Sequence, residues 1–439
     1  MKVAVIGAGW AGCAAAVEAT RLGHSVTLFE AARVAGGRAR RIEGTPGSQS
    51  LSLDNGQHIL IGAYTETLRL MESVGIDTAA VLMRIPLTLQ FPDGNGLQFS
   101  ALPSPFDALH AIARARGWSW RDRLSLLATA WRWRADKFEC APTQSVADLC
   151  AGMPPTVMQG LIEPLCVSAL NTPASRASGQ VFLRVLQDAL FQTSGGSNLL
   201  LPRVDLSALL PDAALAWLTA SGAQVLCGQR VQALSPSGGG WAVTAHQTMD
   251  FDRVVLACPA FESLRLVRGS GVDSSEALAW QRQAGALAHE ALATVYAFAP
   301  EPAQATLRQP MLALRSDAAY PAQFVFDRGQ LGGPAGLLAF VVSASCGEGA
   351  VLTQQVLAQA AAQLGLQLQA VRTIVEKRAT FSCTPGLERP PAQVVPTLLA
   401  CGDYIAGPYP ATLEGAVRSG LAAARNLTHA NAALPASRY

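Results

Sequence analysis

The chain has 439 residues, of which 50% are hydrophobic and 15% are charged. This composition provides enough apolar mass for two hydrophobic cores and is typical of a large globular enzyme. The formal net charge of +2 provides no bulk attraction to a polyanion, so no nucleic acid partner is predicted.

Cysteine usage and the amino terminus bear on the cellular compartment. The nine cysteines are scattered singly, without a CxxC pair, which predicts buried thiols in a reducing compartment and no metal site. The first residues enter a strand directly, so no signal peptide is expected. No apolar run reaches the roughly 18 residues that a membrane-spanning helix needs. The prediction is a cytoplasmic protein.

The first thirty residues predict a dinucleotide-binding turn. A strand over Lys2–Ile6 runs into a glycine-rich turn and then a helix over Ala14–Leu22. Such a turn brings a pyrophosphate to the helix N-terminus. A second strand, Ser25–Phe29, ends at an acid that suits an adenosine ribose and disfavours a 2′-phosphate. The predicted contacts are Gly7, Gly9, Trp10, Ala11, Gly12 and Glu30.

The next motif is Gly36-Gly37-Arg38. Two glycines allow a phosphate or a ring to approach closely, and the arginine can pair with a pyrophosphate. With these motifs in this order, the chain resembles the flavin-containing amine oxidase and phytoene desaturase superfamily. The resemblance implies non-covalently bound FAD. It also implies an α/β protein (α+β overall) with a Rossmann-like FAD-binding domain and an inserted substrate domain of mixed helix and sheet.

A short strand then leads into Asp54-Asn55-Gly56-Gln57-His58. This segment resembles one branch of that superfamily, the squalene-associated FAD-dependent desaturases, which are hydroxysqualene dehydroxylases of hopanoid synthesis. The resemblance implies that the segment passes beside the flavin ring, with Asn55, Gly56 and Gln57 as cofactor contacts. His58 is the titratable group expected to face the reacting carbon. The alternative is a histidine that only forms structural hydrogen bonds.

Residues 83–198 have a different pattern, which suggests part of a second domain. Between Arg114 and Lys137 there are seven basic residues against two acids. The same segment contains Trp118, Trp120, Trp131 and Trp133. Basic residues beside aromatic ones suit a membrane surface, here the inner face of the cytoplasmic membrane. The alternative is a domain helix with Leu124, Leu127 and Trp131 in the core and its arginines in solvent.

Two further assignments rest on the resemblance. Glu163–Pro173 carries small residues and an amide at the end of an apolar helix, and it matches the branch's pattern. Cys166, Leu170 and Asn171 are its candidate pocket-lining residues. Val231 corresponds to a valine whose backbone contacts adenine in the superfamily, although an ordinary core strand is the alternative.

The remaining pattern predicts a discontinuous organisation. Four strand-like runs, Leu292–Phe298, Met311–Leu314, Gln323–Phe326 and Leu337–Val342, are expected to form the floor of the substrate domain. An amphipathic helix is expected over Leu206–Ser221. The predicted FAD-binding domain comprises 1–82, 199–285 and 385–439, and the substrate-binding domain comprises 83–198 and 286–384.

The last motif is Gly402-Asp403-Tyr404, followed by a helix that begins near Ala411. Asp403 can accept hydrogen bonds from ribityl or phosphate-linked hydroxyls. The helix N-terminus can face the flavin edge on which negative charge gathers on reduction. Thr412, Leu413 and Glu414, at this end of the helix, complete the expected cofactor contacts.

The branch implies reductive removal of the allylic hydroxyl of hydroxysqualene, a polyprenyl substrate, with hydride from N5 of reduced FAD. An acid must protonate the departing oxygen. His58 is the first candidate, Tyr404 and Tyr409 are alternative donors, and Asp54 would orient His58 or its loop. No second GxGxxG is present for a nicotinamide, so the electron donor is external and unidentified. A carotenoid-type desaturase and a non-enzymatic prenyl escort remain alternatives.

Overall fold

The computed structural model describes residues 1–44, 51–100, 102, 106–192, 195–301 and 306–428. Their strands, numbered in chain order, are β1 Lys2–Ile6, β2 Ser25–Glu30, β3 Arg41–Gly44, β4 Leu51–Asp54, β5 Leu60–Ile61, β6 Leu82–Ile85, β7 Thr88–Gln90, β8 Gly96–Gln98, β9 Leu199–Pro202, β10 Gln224–Cys227, β11 Ala233–Ser237, β12 Gly240–Thr244, β13 Thr248–Phe251, β14 Arg253–Leu256, β15 His289–Phe298, β16 Met311–Ala313, β17 Phe324–Asp327, β18 Leu337–Ser343, β19 Gln369–Phe381, β20 Gln393–Val395 and β21 Leu398–Ala400.

The helices of the same residues are α1 Trp10–Arg21, α2 Thr65–Ser73, α3 Thr78–Val81, α4 Phe106–Arg114, α5 Trp120–Ala135, α6 Val146–Leu149, α7 Pro155–Val157, α8 Glu163–Leu170, α9 Gly179–Gln187, α10 Leu206–Leu209, α11 Pro211–Ala220, α12 Ala260–Gly269, α13 Ser275–Gly285, α14 Gly349–Leu364 and α15 Leu413–Arg425. Met158–Ile162 and Asp188–Gln192 are π-helical. No helix of the described residues is long and apolar enough to cross a membrane.

A six-stranded sheet carries the glycine-rich turn. Its strand order is β10-β2-β1-β14-β21-β20, and every neighbouring pair is parallel except β21 and β20. Strands β1 and β14 are buried along nearly their whole length, as expected for parallel strands covered on both faces. Helices α1 and α15 pack closely, since a Cβ on Gly420 would lie 2.2 Å from the carbonyl oxygen of Ala11. The predicted α/β fold class is confirmed.

A second, five-stranded antiparallel sheet has the order β16-β17-β18-β15-β19. It contains all four strands predicted for the floor of the substrate domain, and β19 is the fifth. Helix α14 packs on one face, where Val295, Phe340 and Val356 are buried in one hydrophobic cluster. The other face, through Tyr296, belongs to a larger cluster that includes the helices of the 106–187 region.

Several local expectations were wrong. Cys227 and Cys346 are exposed, although the thiols were expected to be buried. Helix α1 begins at Trp10, four residues before the expected Ala14. The helix expected over Leu206–Ser221 is interrupted, because Leu210 leaves helical geometry and Pro211 begins a new helix. Leu124 and Trp131 of α5 were expected to lie in the core, but they are 63% and 74% exposed. The buried side chains of α5 are Asp122, Leu126, Thr129 and Trp133.

Candidate functional site

The glycine-rich turn has the geometry that its sequence predicts. Gly7 has φ of +110°, and a Cβ there would lie 2.7 Å from the carbonyl oxygen of Ala257. A Cβ on Gly12 would lie 1.8 Å from the carbonyl oxygen of Gly7. Both glycines are therefore required by the fold itself. Gly9 differs, because the nearest atom to its Cβ would be the Cα of Gly37 at 3.8 Å. The fold alone leaves room for a side chain at position 9.

The N-terminus of α1 suits a bound phosphate. Gly9 is the N-cap residue and supplies no side-chain cap, and the first turn contains no acidic residue. The first N–H groups of the helix therefore keep their hydrogen-bonding capacity and their positive end for an anion. Trp10 does not obstruct this end, since its indole is 3% exposed and Nε1 donates to the carbonyl of Ala39 at 3.1 Å.

The Gly36-Gly37-Arg38 segment lies directly against this turn. The N–H of Gly36 donates to the carbonyl of Ala8 at 2.8 Å, and a Cβ on Gly37 would lie 3.3 Å from the Cα of Gly9. Trp10 holds the same segment through Ala39. The glycine-rich turn and the Gly36-Gly37-Arg38 segment are separated by 24 residues in the chain, yet their backbones lie side by side.

Glu30 lies at the end of β2, beside the turn. Its Oε2 accepts the N–H of Ala8 at 2.7 Å and its Oε1 accepts the N–H of Ala32 at 2.8 Å. Each oxygen keeps a second lone pair, so the carboxylate can also accept a ribose hydroxyl. Val231 lies two residues after Gln229, whose N–H donates to the carbonyl of Glu30 at 2.8 Å. Val231 is 3% exposed, and its carbonyl accepts a hydrogen bond from Arg265 at 2.9 Å.

The first and last motifs meet in an ion pair. Nη2 of Arg38 is 2.5 Å from Oδ1 of Asp403, and Nη1 donates to the carbonyl of Ala379 at 2.6 Å. Burial acts to lower the pKa of Arg38, but the charge and hydrogen bond of Asp403 outweigh it and raise that pKa. The arginine is therefore a permanent cation at this position.

The Asp54–His58 loop joins the same cluster through Asn55. Its Nδ2 donates to the carbonyl of Arg38 at 2.9 Å and to Glu376 at 3.3 Å. The backbone of Gly56 has φ of +91°, and a Cβ there would lie 3.5 Å from Cε1 of His58. The side-chain amide of Asn55 thus places the loop beside Arg38.

Two residues that sequence reasoning missed hold this loop from the five-stranded sheet. The hydroxyl of Tyr296, on β15, donates to the carbonyl of Asp54 at 2.9 Å and accepts Nε2 of Gln57 at 2.7 Å. Arg328, directly after β17, donates to Oε1 of Gln57 at 3.2 Å. Both amide ends of Gln57 are thus engaged by the sheet. The sequence features that could have identified them are a tyrosine inside an apolar strand and an arginine at the end of a strand.

Asp54 is 3% exposed and lies under the loop. Its Oδ1 accepts the N–H of Leu206 at 2.8 Å, and its Oδ2 is 3.7 Å from Nη2 of Arg328. Burial raises the pKa of Asp54 to about 6, against the lowering effect of Arg328 and of the Leu206 N–H. The contacts found for this carboxylate are with Leu206 and Arg328 and not with His58.

His58 is half-buried, and its Nδ1 lies 3.4 Å from the carbonyl of Gly56. Burial lowers the pKa of His58 to about 4; the Gly56 carbonyl opposes this shift, and the positive charge of Arg38 adds to it. The imidazole is therefore neutral at pH 7. If the proton is on Nδ1, directed at Gly56, then Nε2 is an acceptor.

The two candidate tyrosines are engaged elsewhere. Tyr404 is 4% exposed, its hydroxyl donates to Ser263 on α12 at 3.0 Å, and burial raises its pKa well above the usual value. The hydroxyl of Tyr409 is hydrogen-bonded to Asp188, and burial together with that carboxylate raises the pKa of Tyr409. The guanidinium groups of Arg184 and Arg418 lie 5.9 and 4.9 Å from its ring centroid.

The N-terminus of α15 has one capping contact and one buried acid. Oγ1 of Thr412 accepts the N–H of Gly415 at 2.9 Å, which leaves the N–H of Leu413 at the helix end. Glu414 is fully buried, and its carboxylate accepts the N–H groups of Glu66 and Thr67 at 3.1 and 2.9 Å. Glu414 therefore caps α2, and we do not propose it as a cofactor contact.

The predicted pocket-lining residues lie within the core. Cys166 and Leu170 have no exposed surface, and Sγ of Cys166 lies 3.3 Å from the carbonyl of Thr172. Asn171 ends α8 with φ of +47°. Its Nδ2 donates to Thr380 at 3.1 Å and its Oδ1 accepts the N–H of Ala344 at 2.8 Å. Asn171 thus joins the helical region to the five-stranded sheet.

A second histidine stands near the same cluster and was not singled out by the sequence. His289, at the start of β15, is half-buried; burial lowers its pKa, and Arg38 and Arg378 lower it further while Asp403 opposes them. Among the described residues, no group of three or more histidine, cysteine, aspartate or glutamate side chains could hold a metal ion.

Comparison with known proteins places this geometry in context. Residues 10–428 match the model of the family described as flavin containing amine oxidoreductase. The hydroxysqualene dehydroxylase of Rhodopseudomonas palustris is 26% identical over 457 residues, which cover 96% of this chain and 97% of that protein. The zeta-carotene desaturase of Zea mays is 39% identical over 77 residues, 18% of this chain and 13% of that protein.

The fold also occurs among solved structures. An oxidoreductase from Methanosarcina mazei has a TM-score of 0.69 and 17% sequence identity, and the match covers 96% of this chain and 99% of the other. At this identity the likeness concerns the fold.

Proposed function

The chain belongs to the flavin-containing amine oxidoreductase family, and from this premise we propose that it reductively removes the allylic hydroxyl of hydroxysqualene to give squalene for hopanoid synthesis. The observation that carries the proposal is the extent of similarity. The hydroxysqualene dehydroxylase of Rhodopseudomonas palustris aligns with 96% of the chain. The polyene desaturase of Zea mays aligns with 18%. As a member of an oxidoreductase family the chain is a flavin-dependent enzyme, which argues against the escort alternative.

We propose FAD as the flavin. Support comes from the uncapped N-terminus of α1, the open space at Gly9 and the lone pairs of Glu30 that remain for a ribose. Arg38 and Asp403 would hold the pyrophosphate and a neighbouring hydroxyl, and the N–H of Leu413 would face the flavin. These contacts belong to the proposed FAD-binding domain, which comprises 1–82, 199–285 and 385–439. The proposed substrate-binding domain comprises 83–198 and 286–384. Residues 429–439 lie outside the described part of the chain.

The cofactor assignment has a direct test. Protein purified with its natural cofactor is denatured, and the released flavin is identified by mass. We expect FAD in the wild type and its loss in Glu30→Ala and Asp403→Ala, while Asp250→Ala, an exposed carboxylate on β13, keeps it. Full FAD occupancy in both site variants would remove these residues from the assignment, and release of a mononucleotide would contradict it.

When bound, the reduced flavin would supply a hydride from N5 to the carbon that carries the hydroxyl. The departing oxygen then needs a proton, because hydroxide is a poor leaving group. His58 is the proposed donor. Since burial lowers its pKa to about 4, it would act through an imidazolium form present in roughly one molecule in a thousand at pH 7. Tyr296 and Arg328 would keep the loop in place during this step.

The direction of the reaction is tested by two anaerobic incubations. Chemically reduced enzyme is mixed with hydroxysqualene, and oxidised enzyme is mixed separately with squalene or phytoene. We expect flavin oxidation and squalene formation in the first and no spectral change in the second. Flavin reduction with a desaturated product in the second would instead support the carotenoid-type desaturase, which the short similarity to the Zea mays enzyme keeps as a second candidate.

The proposal also requires an external donor that reduces the flavin. The sequence contains one dinucleotide-binding motif, and the flavin would occupy it, which leaves no second motif for a nicotinamide. The proposal further places the enzyme at the inner face of the cytoplasmic membrane, where a polyprenyl substrate would reside. Nucleic acid and metal ions have no proposed role.

A further inference from the structure

Helix α5 presents an apolar face to the outside of the molecule. Trp120, Leu124 and Trp131 are 72%, 63% and 74% exposed. At 100° per residue, these three positions fall within about 40° of one another around the helix axis. We call them the outer face of α5. The opposite side carries Leu126 and Trp133, which are 6% and 5% exposed.

This arrangement is fixed by contacts at both ends of the helix. Ser119 and Asp122 form a reciprocal capping box at its start. The ring of Trp133 meets the ring of Phe182 edge to face, with centroids 6.4 Å apart. Because the inner side is already filled, Trp120 and Trp131 cannot rotate into the core without displacing packed side chains.

Arginines stand on both flanks of the outer face. On the helical wheel, Arg121 and Arg132 lie at roughly 100–120° to one side of Trp120, and Arg123 and Arg134 lie at roughly 40–60° to the other. The guanidinium of Arg123 covers the ring of Trp120 at 4.9 Å. Arg121 and Arg132 are exposed. One of the two acids between residues 114 and 137 is Asp122, which is buried in the capping box.

The preceding helix also exposes apolar side chains. Phe106 and Leu109 on α4 are 62% and 46% exposed. Tryptophan and leucine on one side of a helix, flanked by arginines, favour the boundary between acyl chains and anionic headgroups. A protein partner would need a complementary acidic surface, whereas an anionic bilayer offers apolar depth and negative charge together.

We propose that the outer face of α5 is a membrane-docking surface for an anionic lipid bilayer, with Trp120 and Trp131 inserted at the interface and Arg121 and Arg132 against phosphates. The proposal concerns this surface and holds whatever reaction the enzyme catalyses.

Vesicle flotation tests it with full-length flavin-loaded protein. Vesicles containing phosphatidylglycerol are compared with vesicles of phosphatidylcholine alone, at low and high salt. We expect binding to the anionic vesicles that weakens with salt. Trp120→Ser/Trp131→Ser should abolish it. Arg121→Gln/Arg132→Gln should weaken it about 30-fold at low salt, from roughly 1 kcal/mol for each arginine.

Matched control variants test whether a loss of vesicle binding is specific to the outer face of α5 or follows from removing any exposed apolar or basic residue. Val351→Ser removes a 51% exposed apolar residue on α14, and Arg268→Gln/Arg282→Gln removes two exposed arginines on α12 and α13; both should bind as the wild type does. Flavin absorbance and the unfolding temperature of each variant verify folding. Unchanged binding in the tryptophan variant, or no binding of the wild type, would overturn the proposal. So would light scattering that shows a wild-type dimer converted to a monomer by the tryptophan changes, since the face would then join two copies.

Discussion

Two arginine–aspartate pairs join distant parts of the chain in the candidate site, and they differ in how they are built. Arg38 and Asp403 meet directly at 2.5 Å, and each belongs to a glycine-containing motif. Arg328 and Asp54 stand 3.7 Å apart, and Gln57 and Tyr296 connect them through hydrogen bonds. In the proposed function the first pair would also hold a ligand, while the second fixes a loop. The proposed cofactor side is therefore specified by short motifs, and the loop opposite Tyr296 and Arg328 by long-range packing.

The largest effect is expected on the cofactor side. Gly12→Ala would place a Cβ 1.8 Å from the carbonyl oxygen of Gly7, so the turn must distort. We expect a loss of about 3 kcal/mol or more in unfolding free energy, together with loss of the flavin. Denaturant unfolding and flavin absorbance measure the two effects. Gly269→Ala, where nothing lies within 4 Å of the new Cβ, is the control and should keep both; a flavin-loaded Gly12→Ala protein would contradict the assignment of this turn.

The next prediction concerns chemistry on the loop. His58→Ala should keep fold and flavin but slow flavin oxidation by hydroxysqualene by about 100-fold, the usual scale for a positioned acid. Because the pKa of His58 is about 4, the wild-type rate should increase as pH falls from 7 toward that value, and the variant should lose this dependence. His246→Ala, on an exposed turn, should behave as the wild type. An unchanged rate and pH profile in His58→Ala would make the histidine a structural hydrogen-bonding residue of its loop.

The third prediction is the pH dependence of stability from Asp54. Burial raises its native pKa to about 6, above the usual aspartate value of 3.8. The native state therefore binds the proton more tightly than the unfolded chain does. This contribution favours folding below pH 4 and is lost as pH rises to 6, by roughly 3 kcal/mol. Asp54→Asn keeps an acceptor for the Leu206 N–H but cannot ionise, so it should remove that slope.

Unfolding free energies across this pH range, for wild type and variant, measure the difference. His58 contributes with the opposite sign, because its lowered pKa favours folding as pH rises, so only the difference between proteins isolates Asp54. Asp250→Asn should reproduce the wild-type slope. Parallel curves for wild type and Asp54→Asn would show that the pKa of Asp54 is not raised.

The smallest effect tests the clamp, by which we mean Tyr296 and Arg328 holding the Asp54–His58 loop. Arg328→Met removes the donor to Gln57 and the cation nearest Asp54, so we expect a loss of roughly 1–2 kcal/mol in unfolding free energy. The pKa of Asp54 should increase further, since Arg328 lowers it in the wild type. Carboxyl NMR titration reads this pKa, and Arg268→Met on the surface of α12 is the control. An unchanged Asp54 titration would show that Arg328 supports the loop without acting on its charge.

The sequence by itself determined the elements whose constraints are local. A strand, a glycine turn and a helix N-terminus occur within a dozen residues, and backbone sterics at Gly7 and Gly12 permit few alternatives. The acid at position 30 follows from the length of one strand-helix-strand unit. The same logic placed the four strands of the second sheet, because apolar runs of that length and composition favour strands.

The tertiary structure decided which face of each element is buried and what each polar group contacts. Helix α5 carries large apolar residues on both sides, so its periodicity alone could not identify Leu126 and Trp133 as the inner ones. The clamp of Tyr296 and Arg328 holds a loop that is more than 200 residues away in the chain, which no local pattern specifies. The lowered pKa of His58 arises from burial and from Arg38 together. Solvent exclusion and the distance between charges exist only once the chain is packed, and they set the protonation state of His58 on which the proposed chemistry depends.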